Sequence, residues 1–83
     1  MAATSARVRY FLQTDAVQDH VDRRHLRHGD VAARLGISKG YWSQLVHRHR
    51  PLTAQMRSRV LASRVFRGLP ERDLWERVEG GAA

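Results

Sequence analysis

The 83-residue chain contains no cysteine. That excludes disulfides, thiolate metal sites and cysteine nucleophiles, and it accords with a reducing compartment. Long apolar runs are also missing, and Met1-Ala2-Ala3-Thr4-Ser5 leads directly into charged residues. Neither a signal peptide nor a membrane span is therefore expected, and the expected location is the cytoplasm. There is no glycine-rich phosphate loop, and no serine has the histidine–aspartate context of a nucleophile. No catalytic residue, cofactor or enzymatic activity is expected. Aromatics are few, with two each of Trp, Tyr and Phe, which argues against the stacking platforms used on RNA and single strands.

Charge of one sign is in surplus. The net charge is +7, and all but one of the 15 basic residues are arginine, the side chain that forks onto phosphate and guanine better than lysine. From Arg27 to Arg67 nine basic residues face a single acid, Asp30, while the last 16 residues carry a net −2. The positive potential is thus concentrated mid-chain, where a polyanion would dock. At this length one domain is expected, burying about 60% of its unfolded surface.

Residues 1–6 read as disordered. Arg7–Leu12 mixes β-branched, aromatic and basic residues and reads as a short strand, paired with its copy in a dimer or packed on its own domain. Five helices are expected thereafter, giving an all-α domain over 14–79, after an arm at 1–13 and before a flexible tail at 80–83. Thr14 caps helix 1 over 15–24, with Val17 and Val21 inward. Helix 2 starts at Arg27 or His28 and ends at Leu35. Helix 3 follows over 39–47, and Pro51 interrupts regular helix after it. Thr53 caps helix 4 over 54–62, with Met56 and Val60 inward. Pro70 opens helix 5 over 71–78, with Leu74, Trp75 and Val78 on one side.

The organising stretch is Val31 to Val46. Val31, Ala32 and Leu35 form a short stripe of helical period. Gly36 then supplies a left-handed helix end, Ile37 fills the angle, and Ser38 offers an oxygen to the orphan N–H groups of the next helix. Ala32 is small where two helices cross at a steep angle. Trp42, Leu45 and Val46 repeat at i, i+3 and i+4, leaving Lys39, Gly40, Ser43, Gln44 and His47 outward and Tyr41 at the boundary.

The pattern Val31-Ala32-x-x-Leu35-Gly36-Ile37-Ser38-x-x-Tyr41-x-Ser43-x-Leu45, followed by Arg50-Pro51-Leu52, resembles the helix-turn-helix of the λ-repressor/Cro-like (xenobiotic-response-element) transcriptional regulators. The resemblance covers roughly 15–63. The tail Leu74-Trp75-Glu76-Arg77-Val78 is similar to the end of small single-domain bacterial or phage members. It implies a compact five-helix domain that binds a palindromic DNA operator as a homodimer, with repression the expected sense and association with the nucleoid when bound. The stretch 38–47 would enter the major groove.

Lys39 is then a candidate for guanine and Gln44 for adenine, with phosphate the alternative for Lys39. Ser38, at the N-terminus of that helix, belongs to the same DNA-facing set. Gly40 either lets the helix sit deep in the groove or lies on a solvated face. Tyr41 and Ser43 are candidates for phosphate or thymine contact, with core packing the alternative for Tyr41. The resemblance places His28 where relatives use a Gln to grip phosphate and buttress the recognition helix, and His47 at a phosphate-contacting position. Arg48 stands where relatives have Gly, so either helix 3 runs on or Arg48 adopts a strained left-handed conformation. Arg50 is a candidate for backbone or minor-groove contact.

The five histidines are not spaced as metal ligands, and Asp15, Asp19 and Asp22 read as a solvated, dipole-compensating face. Trp42 reads as core. Trp75 is core, or anchors a dimer interface with Leu74 and Phe66. The alternative function is a protein-interaction module, an antitoxin or adaptor, whose acidic stretch Glu71–Glu79 binds a partner through the C-terminal helix.

Overall fold

Val8, Tyr10 and Leu12 alternate with Arg7, Arg9 and Phe11, a period of two that suits a pleated strand. In the computed structural model, which describes residues 7–80, Arg7–Leu12 forms that strand, β1. Four helices follow: α1 (Thr14–Arg23), α2 (His28–Leu35), α3 (Lys39–Val46) and α4 (Ala54–Ala62). A 3₁₀ turn (Arg64–Phe66), a one-turn helix α5 (Glu71–Leu74) and a second strand β2 (Trp75–Gly80) complete the chain. The segment 1–6, and residues 81–83 of the expected tail, lie outside the described residues.

The all-α expectation is overturned. The fold mixes five helices with a two-stranded antiparallel sheet in which β1 pairs with β2, from Arg7 opposite Gly80 to Leu12 opposite Trp75. The strand expected at 7–12 therefore has its partner within its own chain. The helix expected over 71–78 stops at Leu74, and Trp75 is already extended at φ −150°, ψ 162°. Leu74, Trp75 and Val78 fit one side of a helix as well as they fit a strand, so period alone could not choose. Pairing chooses: β1 carries N–H and C=O groups that need partners, and an extended Trp75–Gly80 supplies them. Trp75 and Val78 consequently lie on opposite faces of the sheet.

Thr14 is a second correction. Gln13, not Thr14, occupies the position before α1 and makes no side-chain cap. The Thr14 hydroxyl instead donates to the Val46 carbonyl at 2.6 Å, tying α1 to the end of α3. The other two hydroxyl caps form as their sequence positions demand. Ser38 accepts from the Tyr41 N–H at 3.0 Å, and Thr53 accepts from the Met56 N–H at 3.1 Å.

Helices α1, α2 and α3 all end in the same way. Two or three residues past each helix one N–H donates back five residues (Leu26 to Val21, Ile37 to Ala32, His49 to Gln44), and the residue before it donates back three. This satisfies carbonyls that a helix end leaves open and needs a left-handed residue in between. Those residues are His25 (φ 57°), Gly36 (φ 74°) and Arg48 (φ 60°). Gly36 takes this conformation without a Cβ clash, whereas His25 and Arg48 each carry a strain of about 1–2 kcal/mol.

The core runs from Leu12 through Val17, Val21, Val31, Ala32, Leu35, Trp42, Leu45, Met56 and Val60 to Phe66, Leu74 and Trp75. Leu74, Trp75 and Phe66 are buried within the chain, so Trp75 is core. Ala32 is 1% exposed where α2 meets α3. From α4, Arg59 donates to the carbonyls of Leu35 and Gly36, each at 3.3 Å. A cation thus sits on the C-terminus of α2, where the helix dipole favours it. No helix among the described residues is long and apolar enough to cross a membrane.

Candidate nucleic-acid interface

Helix α3 is held by its inward residues. Trp42 and Leu45 are buried, and Tyr41 and Val46 are half-buried on either side of them. At 100° per residue this leaves an outward arc carrying Lys39, Gly40, Ser43, Gln44 and His47, all exposed. Lys39, Ser43 and His47 form one row along the arc, and Gly40 and Gln44 the other. Ser38 caps the exposed N-terminus of the helix. A Cβ placed on Gly40 would meet nothing within 4 Å, so neither the core nor a neighbouring helix requires glycine there.

Lys39, Ser43 and His47 come together with Gln18 of α1 and His28 of α2 around one concavity, floored by Trp42 and Val46. A directed chain of hydrogen bonds braces it. The Trp42 indole N–H donates to His28 Nδ1 at 2.9 Å, and His28 Nε2 donates to Gln18 Oε1 at 2.8 Å. Gln18 in turn donates to Asp22 at 2.9 Å. An indole N–H only donates, so His28 must leave Nδ1 unprotonated and carry its proton on Nε2. His28 therefore buttresses the recognition-helix candidate directly. The roles of Gln18 and of the Trp42 N–H had no local signal, because the partners are 10 and 14 residues apart. The stem of Lys39 lies over the start of α2, with Cδ 3.5 Å from where a Cβ on Gly29 would stand.

His47 donates Nδ1–H to the Ser43 carbonyl at 2.8 Å and stacks against His49 with ring centroids 5.8 Å apart. Arg48 takes the left-handed alternative. Its guanidinium ion-pairs with Glu76 of β2 and lies 5.5 Å from the centre of the Phe11 ring. Its side chain is thus engaged by the sheet and not by the outward rows of α3. Arg50 is exposed in the following loop. Tyr41 borders a separate hollow with Thr53, Gln55 and Arg59 on the other flank of α3.

The basic surplus resolves into two groups. Arg48, Arg57 and Arg59 serve the fold, Arg57 by covering the Tyr10 ring at 3.9 Å and donating to the Leu52 carbonyl at 2.8 Å. Arg27, Arg34, Lys39, Arg50, Arg64 and Arg67 are exposed and enter none of the ion pairs among the described residues, which are Arg23–Asp19, Arg48–Glu76 and Arg77–Glu79. Among the described residues no three His, Asp or Glu side chains gather as metal ligands. Comparison with protein-family models, with curated proteins and with solved structures finds no match for this chain.

Proposed function

We propose that the chain is a sequence-specific double-stranded DNA-binding protein, a transcriptional regulator that inserts α3 into the major groove. The observation that carries this reading is the outward face of α3. Helix α3 presents outward only small, polar or cationic side chains (Lys39, Gly40, Ser43, Gln44, His47), and six exposed cations between Arg27 and Arg67 enter no ion pair among the described residues. A major groove accepts a helix of this kind, and the six unpaired cations suit the phosphates that flank it. Lys39 and Gln44 read base edges; Ser38, Tyr41, Ser43, His47 and Arg50 contact backbone or thymine methyls. His28 acts by bracing Trp42. Repression from a palindromic operator, by a homodimer with its two α3 helices about 34 Å apart, is the simplest use of a domain this size.

The alternative, a protein-interaction module, calls for an acidic C-terminal helix. That segment is largely a strand, and its Glu76 and Glu79 are ion-paired within the chain.

Selection of bound sequences from random duplex DNA tests the proposal. A motif should emerge from the wild-type chain, and Lys39→Ala and Gln44→Ala should each relax it at different positions. Failure to enrich any motif would count against sequence-specific regulation, and identical motifs from both variants would count against these two readers.

A further inference from the structure

Glu76 and Phe11 are cross-strand partners, so their side chains leave the same face of the sheet. The Arg48 guanidinium lies against that pair, ion-paired with Glu76 and 5.5 Å from the centre of the Phe11 ring. The sheet thereby reaches the end of α3, because Arg48 directly follows its C-cap, His47. Of the nine cations between Arg27 and Arg67, Arg48 alone enters an ion pair among the described residues. Its neighbours in the chain differ. His47, one residue before, and Arg50, two after, are exposed and meet no acid there. Both are proposed to touch the duplex. The Arg48 and Glu76 side chains are 40% and 43% exposed, so an outside anion can reach the guanidinium without unfolding the chain.

We infer that Glu76 is an internal stand-in for a phosphate, which holds Arg48 off the duplex and thereby limits how strongly the α3 face binds DNA. The inference rests on the proposed reading of α3 and adds a regulation of that site. A carboxylate and a phosphate offer a guanidinium the same fork of acceptor oxygens. One Arg48 therefore serves one of them at a time. The carboxylate has the advantage of a tether, since the fold keeps it beside the guanidinium before any duplex arrives. The Phe11 ring adds a second contact that a phosphate must also displace. The strength of the device is bounded. A half-exposed ion pair is weak, so it lowers affinity severalfold and does not abolish binding. Its placement also couples the two ends of the chain. Glu76 belongs to β2, so any departure of β2 from β1 carries the carboxylate away and returns Arg48 to the run of His47 and Arg50.

A double-mutant cycle on the full chain tests this, read by fluorescence anisotropy on one selected duplex between 50 and 200 mM potassium chloride. Glu76→Gln keeps the shape of the side chain and removes the charge that holds Arg48. It should bind more tightly than wild type, with a salt slope steeper by about 0.9, so that its advantage shrinks about 3.5-fold across that range. Arg48→Ala should leave the wild-type slope unchanged, since no phosphate contact is lost. R48A/E76Q should return to the wild-type slope. An Arg48→Ala slope shallower by one contact would overturn the inference, because Arg48 would already meet the duplex. A gain from Glu76→Gln that survives in R48A/E76Q would overturn it too, because a lost negative charge and not a released arginine would be its source. So would a Glu76→Gln variant with the wild-type slope. Circular dichroism identifies a variant that has lost its fold, and Glu76→Ala then takes the place of Glu76→Gln. A wild-type chain that binds no duplex would remove both this inference and the proposed function, whereas each other failure leaves the proposed function standing.

Discussion

Arg48 ends α3 in the left-handed region, at φ 60°, and ion-pairs from there with Glu76 of β2. The last residues of the recognition-helix candidate and the sheet at the chain's two ends are thus joined through one strained residue. Two opposed effects meet at this position. A non-glycine residue here costs about 1–2 kcal/mol. The half-exposed ion pair contributes at most about 1 kcal/mol and the contact with Phe11 about 0.5–1 kcal/mol.

Arg48→Gly removes the strain and both contacts together, so its stability should stay within about 1 kcal/mol of wild type. Arg48→Ala keeps the strain and loses the contacts, and should fall about 1 kcal/mol below the glycine variant. Urea unfolding of the three proteins measures the order. An alanine variant as stable as the glycine variant would mean that the left-handed conformation is not populated in solution.

His28 is the acceptor for a buried ring's only polar atom. His28→Ala should destabilise the fold by about 1–2 kcal/mol by leaving the Trp42 N–H without its partner. His28→Gln keeps an acceptor and should lose less. Thermal unfolding of both variants is the check, and equal losses would show that packing of the imidazole ring, not its Nδ1, supports Trp42.

Two glycines on helices separate stability from recognition. Gly29→Ala places its Cβ in ordinary contact with the Lys39 stem, and Gly40→Ala places its Cβ in open space. Each stands in the first turn of its helix, so each should stabilise the protein by less than the helix-interior value of about 0.8–1 kcal/mol. Only Gly40→Ala should also weaken duplex binding, because its methyl stands on the face proposed to enter the groove. Denaturant unfolding and fluorescence anisotropy on one selected duplex measure the two effects, and undiminished affinity would mean that α3 does not approach the bases at Gly40.

The six exposed cations between Arg27 and Arg67 that enter no ion pair among the described residues set a salt dependence. If each meets one phosphate, the logarithm of affinity should fall with the logarithm of salt at a slope of about −5, or about 10³-fold between 50 and 200 mM. A titration of duplex binding against potassium chloride gives the slope. A value near zero would mean that these six cations do not face the backbone of the duplex.

Much of the site was legible because its signals are local. Ser38 and Thr53 cap helices that begin immediately after them, and Gly36 stands where a helix must turn left-handed. Trp42 and Leu45 are buried at the spacing that leaves Lys39, Ser43 and Gln44 outward. Other residues misled because a local rule met a distant competitor. Thr14 looks like a cap, but its hydroxyl goes to Val46 on another helix. Leu74, Trp75 and Val78 look helical, but β1 takes that segment as its strand partner.

The turn between α2 and α3, and the cationic bias around it, were decided within a few neighbouring residues, since caps, helix periods and net charge need no distant partner. The strand at Trp75–Gly80, the resting place of the Arg48 guanidinium and the brace from Trp42 through His28 to Gln18 were decided by the folded chain alone. In each case the deciding group is supplied from another element, and one short pattern of apolar residues satisfies helix and strand alike until a partner is present to choose.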